Sequence, residues 1–118
     1  MKSIYSWLAY LPAALLLLGC DSICENEVQA SVVSPSGNLK AVVFHRSCGA
    51  ATGFNTQVSV IAASSSLQDD GGNVLIVDGN APLKLTWLSE SRLSIKGVLS
   101  AGVFTKERSV PDVEIVYE

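Results

Sequence analysis

The chain has 118 residues, 48% of them hydrophobic, with 8 Lys and Arg against 11 Asp and Glu and a formal charge of -3. That length accommodates about one small domain. The mildly acidic balance argues against nucleic acid as a partner and against polybasic attraction to anionic lipids.

The first residues are organised as a leader. Lys2 and the amino terminus form a short positive region, Tyr5 to Leu18 is almost wholly apolar, and the run closes on Gly19-Cys20. Leu17-Leu18-Gly19-Cys20, with a small residue directly before the cysteine, resembles the lipobox of bacterial lipoproteins. The resemblance implies that residues 1–19 are a signal peptide helix that is cut away. It implies a diacylglyceryl group on the Cys20 thiol and an acyl chain such as palmitate on its freed amino group. A transmembrane anchor is the competing reading, but a spanning helix needs about 20 apolar residues. The run from Ile4 to Leu18 is shorter, contains Pro12 and ends at Gly-Cys-Asp. Two or more acyl chains hold a protein stably on a membrane, each buried methylene contributing about 0.8 kcal/mol. Asp21 resembles the inner-membrane retention signal of many Gram-negative lipoproteins. The expected location is the bacterial cell envelope, lipid-anchored, on the periplasmic face of the inner membrane in a Gram-negative cell.

Without residues 1–19 the chain keeps seven basic and eleven acidic side chains, a formal -4. A core this small is marginal, and a covalent staple is common in such domains. Three cysteines are present. Lipidation uses Cys20 and leaves Cys24 and Cys48 as an even pair, and export makes a disulfide the default. Closing that loop stabilises by about 3.5 kcal/mol through lost chain entropy. A metal or redox pair is the rival reading, weakened by the single histidine, His45, and by the lack of Cys-x-x-Cys spacing. Residues 20–27 are expected to be the lipidated N-terminus and a short tether, and 28–118 one β domain.

After Val28 the hydrophobic pattern alternates with a two-residue period. Val28 to Val33 reads as a first strand and Ser34-Pro35-Ser36-Gly37 as a turn. Leu39 to Arg46 follows as a strand with Val42 and Phe44 on one face and Ala41, Val43 and His45 on the other. Gln57 to Ala62 and Asn73 to Val77 are the next two. Between them, residues 63–72 read as a mobile, solvated turn. Asp69-Asp70-Gly71-Gly72 is only faintly like a calcium loop, lacking its alternating oxygen ligands. Leu83, Leu85 and Trp87 pair across the turn Ser89-Glu90-Ser91 with Leu93 and Ile95, leaving Arg92, Ser94 and Lys96 on a wet face. Gly102 to Lys106 and Asp112 to Tyr117 close the chain, Pro111 making the last strand start late or lie at an edge. The expected fold is all-β: a small, mostly antiparallel meander of six to eight strands, as a sandwich or partly closed barrel.

One segment, 48–57, carries two glycines and a cluster of polar side chains. With its surroundings it resembles a family of short uncharacterised bacterial lipoproteins whose pattern runs Ser-Pro-x-Gly, Arg-x-Cys-Gly-Ala-Thr-Thr, Thr-Gln-Val-Ser. The matches are Ser34, Pro35, Gly37, Arg46, Cys48, Gly49, Ala50, Thr52, Thr56, Gln57, Val58 and Ser59, with Ala51 departing by the loss of a hydroxyl. They span about the first half of the domain, and the resemblance brings no activity. Arg46, Thr52, Asn55, Thr56 and Gln57 form a candidate binding loop. The competing role for each is structural, satisfying loop backbone groups.

Catalysis is not expected. No Gly-x-Ser-x-Gly elbow is present, the lone histidine sits in a strand pattern, and Glu90, Glu107 and Glu114 are scattered. No cofactor and no metal are expected. The expected role is a membrane-anchored, non-catalytic binding or assembly module, held by the lipid on Cys20 and meeting an envelope protein. The alternative is an inhibitor of an envelope-attacking hydrolase such as lysozyme, on analogy with other small disulfide-bearing β lipoproteins.

Overall fold

A computed structural model describes residues 24–49, 53–98 and 102–118. The expected leader, Cys20, Thr52 and residues 99–101 lie outside the described residues. All nine described elements are strands: β1 (Glu25–Val33), β2 (Leu39–Ser47), β3 (Phe54–Ala62), β4 (Leu75–Asp78), β5 (Lys84–Ser89), β6 (Arg92–Lys96), β7 (Val103–Lys106), β8 (Ser109–Val110) and β9 (Val113–Tyr117). Two sheets form, ordered β1-β2-β3-β4-β7 and β5-β6-β9-β8.

The sheets pack face to face as a sandwich. Ala41, Val43, Val58, Val60, Leu75 and Val77 from the first meet Leu85, Leu93, Ile95, Val113 and Ile115 from the second. Strict alternation along each strand delivers these side chains to the inner face. The arrangement is not a pure meander, because β6 and β9 run parallel. Parallel neighbours need a crossover, and here the chain leaves the second sheet to add β7 to the first before returning through β8. The tight turn at Pro111-Asp112 makes β9 start late, yet β9 lies inside its sheet, between β6 and β8.

Three local details follow from the chemistry of the turns. Ser34 C=O accepts from Gly37 N–H at 2.9 Å, with Gly37 in the left-handed region at φ 81°. Glu90, at the tip of the β5–β6 hairpin, takes Ser36 N–H at 2.9 Å and the Ser34 hydroxyl at 3.0 Å, linking the two sheets through their turns. The backbone N–H of Ser36 and then its hydroxyl hold the Glu90 carboxyl below its ordinary range, outweighing an opposing effect of burial, and the Ser34 hydroxyl adds least. At the far end, burial and then the Glu107 charge push the Tyr117 hydroxyl up to about 12, and that hydroxyl donates to Glu107 C=O at 2.6 Å.

The Glu90 contact carries a pH signature. A depressed folded-state pKa means that the stability it contributes is present above the ordinary carboxylate pKa and is lost as pH falls through the depressed value. Thermal unfolding of Glu90→Gln and the native chain, run from neutral pH to about 3, is expected to show the native chain more stable at neutral pH. The two should converge at the acid end. A gap independent of pH would assign the effect to packing instead.

Two expectations need correction. The segment 63–72 is exposed at seven of its ten residues, as a solvated turn would be, but it is pinned rather than free. It lies across the outer face of β1–β3, where Asn26 Nδ2 donates to the carbonyls of Gln68 and Asp70 at 2.9 and 3.0 Å. Arg46 Nη1 reaches Asp69 at 2.9 Å, and Gly72 N–H donates to Gln57 Oε1 at 2.7 Å. Gly71 lies against the Gln57 and Ile76 side chains. At Gly72 a Cβ would stand 2.6 Å from the Val58 carbonyl oxygen, so only glycine permits this approach. Asn73 then completes the strap by exchanging side-chain hydrogen bonds with both backbone groups of Val60. Alternation explains the result. With Ala41 and Val43 facing the other sheet, Val42 and Phe44 point outward, yet they are 2% and 0% exposed.

Ser94 is the second correction. It was expected on a wet face and is 1% exposed. β6 is flanked on both sides, and the chain end returns over it, with Glu118 N–H on Ile95 C=O and the Ser94 hydroxyl donating to the Glu118 carboxylate.

Candidate functional site

The β1–β2 hairpin organises the site. Glu25 pairs with Ser47, Asn26 with Arg46, Glu27 with His45 and Val28 with Phe44. Continuing that register by one step puts Cys24 opposite Cys48, and the two are joined by a disulfide 24 residues apart in sequence. The hairpin is thus closed by a turn at one end and a covalent bond at the other. β1 begins at Glu25, three residues ahead of the expected Val28, because the staple holds the strand in register to its first residue.

The pleat separates the residues that sequence proximity had gathered. Asn55, Thr56 and Gln57 belong to β3, and neighbours along a strand face opposite sides. Asn26, Arg46, Asn55 and Asp78 are successive cross-strand partners and make a polar row on the outer face. Arg46 donates to Asn26 Oδ1 at 2.8 Å as well as to Asp69. Thr56 is 0% exposed, its hydroxyl donating to Gly79 C=O at 2.6 Å and accepting from Ala81 N–H at 2.9 Å. Gln57 is 3% exposed and engaged by Gly72. Thr56 and Gln57 therefore anchor loops, and Arg46 fastens the strap. Asn55 is half-buried in the polar row. Thr52 lies outside the described residues.

The inner face at the same end is different. There Glu27 pairs with His45, and Glu25, Ser47 and Phe54 are successive partners in the next row. These side chains line a half-open hollow of about 750 Å³. Both glutamates are exposed, Phe54 is 39% exposed, and the His45 ring lies against it with centroids 4.6 Å apart. Gln29 steadies Glu27 by donating to its carboxylate at 3.1 Å. The hollow presents negative charge beside an aromatic face, which suits a cation or a cationic side chain. Compared with family models, with curated proteins and with solved structures, the chain finds no match.

Sequence reasoning missed this site by starting the strand at Val28. The usable signal was Glu25-Asn26-Glu27: two carboxylates at two-residue spacing fall on one face as soon as the strand is extended back to the disulfide. Two of the other glutamates have partners elsewhere. Glu114 takes Arg92 at 2.9 Å on the surface, and Glu90 binds the Ser34–Ser36 turn. Among the described residues no cluster of His, Cys, Asp and Glu has the arrangement of a metal site, and no helix is long and apolar enough to cross a membrane.

Proposed function

We propose that the chain is a lipid-anchored envelope protein whose β-sandwich works as a non-catalytic docking module for another envelope protein. The observation that carries this reading is the position of the hollow. It lies at the end of β1 that follows Cys24 directly, and Cys24 stands four residues after the lipobox cysteine. At about 3.5 Å per residue, a lipid on Cys20 keeps Cys24 within about 15 Å of its anchor. With so short a leash, a partner meets the domain at the membrane surface. The resemblance of the 34–59 pattern to short bacterial lipoproteins supports the same reading.

A non-catalytic role fits the chemistry on hand. The one histidine of the sequence lies against Phe54, and the hollow offers charge and an aromatic surface.

The test joins anchoring to docking. Cys20→Ala is expected to keep its leader or to lose membrane retention, read by mass spectrometry of the N-terminus and by fractionation. Photo-crosslinking from Gln29 in native membranes is expected to recover one reproducible envelope protein. Normal processing and retention of the alanine variant would refute anchoring at Cys20, and the absence of any crosslinked protein would remove the docking role.

A further inference from the structure

We infer that the free edge of β1, together with the hollow beside it, takes an extended segment of a partner protein that carries Lys or Arg at alternate positions. This deepens the docking role proposed above and rests on it for the partner's location.

The edge is the first observation. β1 is the outermost strand of its sheet, pairs only with β2 among the described residues, and is exposed at seven of its nine positions. A strand in that position presents outward backbone N–H and C=O groups to any extended chain that approaches. Its two ends are not equivalent. Near the C-terminal end the Trp87 indole N–H donates to Val32 C=O at 2.8 Å, bringing the second sheet up against the strand. Among the described residues no hydrogen bond from the second sheet reaches the stretch from Glu25 to Ala30; there Gln29 Nε2 donates to the Glu27 carbonyl at 3.3 Å, the strap holds Asn26 from the outer face, and the register shifts at Gln29. Val28, 53% exposed, lies within this stretch.

Charge selects the occupant. Glu25 and Glu27 project from the same side of this edge into the hollow, with the exposed Phe54 across the sheet. Side chains on one face of an added strand recur about every 6.8 Å, the same interval as Glu25 to Glu27. A segment with a basic residue at alternate positions therefore meets both carboxylates in register. A second copy of this chain fits poorly, because pairing two β1 edges gathers four carboxylates on one short ladder. The acidic balance of the chain also favours a basic partner.

The experiment uses the full mature lipoprotein in detergent micelles. Three synthetic peptides are compared: a strand-forming sequence with Lys-x-Lys, its Glu-x-Glu counterpart, and a Lys-x-Lys version with alternate prolines that remove the N–H groups needed for pairing. Hydrogen-exchange protection of residues 25–31 is read against 103–106, on the opposite edge of the sheet. The lysine strand is expected to bind and protect 25–31 alone, and the other two peptides to do neither. Glu25→Gln/Glu27→Gln should weaken the lysine strand about ten-fold, as loss of two exposed ion pairs allows. Unchanged exchange in β3 reports that this variant is folded.

Binding of the proline version as strongly as the strand, or protection of both edges alike, would overturn strand addition. An unchanged affinity in the double variant would overturn the role of the carboxylates. Should crosslinking in membranes recover a partner on which no alternating basic segment maps to Gln29, this inference falls while the docking role stands. Should the peptide bind and no partner be recovered, the docking role falls and the binding edge remains.

Discussion

Phe44→Ala is expected to cost about 3–5 kcal/mol, the range for emptying a buried aromatic site. For a domain of this size that lowers Tm by roughly 15 °C or more. Phe44 is 0% exposed on the face of β2 that points away from the second sheet. On that face the strap 63–72 is tied to Asn26, Arg46 and Gln57, the residues around Phe44 on the three strands. The sandwich core and the space beneath the strap are thus two apolar layers sharing one sheet. Losing Phe44 also undercuts the strap, so limited proteolysis within 63–72 should quicken in the variant. Phe44→Leu, which keeps most of the volume, should cost under about 1.5 kcal/mol. If the alanine variant lost less than about 1 kcal/mol by chemical denaturation, the strap would not be sealing a layer of its own.

Removing the disulfide should have a comparable effect. Cys24→Ala/Cys48→Ala is expected to lose about 3.5 kcal/mol, the chain entropy of a loop of this length. The same loss should follow from reducing the native protein, and reductant should leave the double variant unchanged. Identical denaturation curves for native protein with and without reductant would exclude a stabilising link. The effect reaches function through β1. The bond sits one register step before Glu25, so without it the first residues of the strand fray and the spacing between Glu25 and Glu27 relaxes. Weakening of the lysine strand peptide on reduction is therefore expected alongside the stability loss.

Much of the fold was legible because sheets write a two-residue period into sequence. The alternation in Leu39 to Arg46 announced β2 almost to the residue, and the Ser34-to-Gly37 turn carried its proline and its left-handed glycine openly. Cysteine parity pointed to Cys24 and Cys48, and the register made them opposite. The site was less legible. Asn55, Thr56 and Gln57 lay together with Arg46 in a polar stretch, but the pleat turns Thr56 inward and the other three outward. Hydrogen-bonding capacity visible in sequence had been taken by Gly79, Ala81 and Gly72. Those acceptors and donors come from segments more than ten residues away, which no local pattern reveals.

By itself the sequence determined a strand-rich chain, an apolar N-terminal run ending at Gly19-Cys20, and the expectation that Cys24 pairs with Cys48. These depend on local residue type and spacing, which act within a few residues along the chain. Tertiary structure alone decided that β7 crosses to the first sheet and leaves β6 and β9 parallel, that 63–72 is tied across the face of the sheet that carries Phe44, and that the first strand ends a sheet with Glu25 and Glu27 facing a hollow. Each of these is settled by which distant segment covers a face or an edge. That choice is made by the sum of burial and hydrogen bonding over the whole domain.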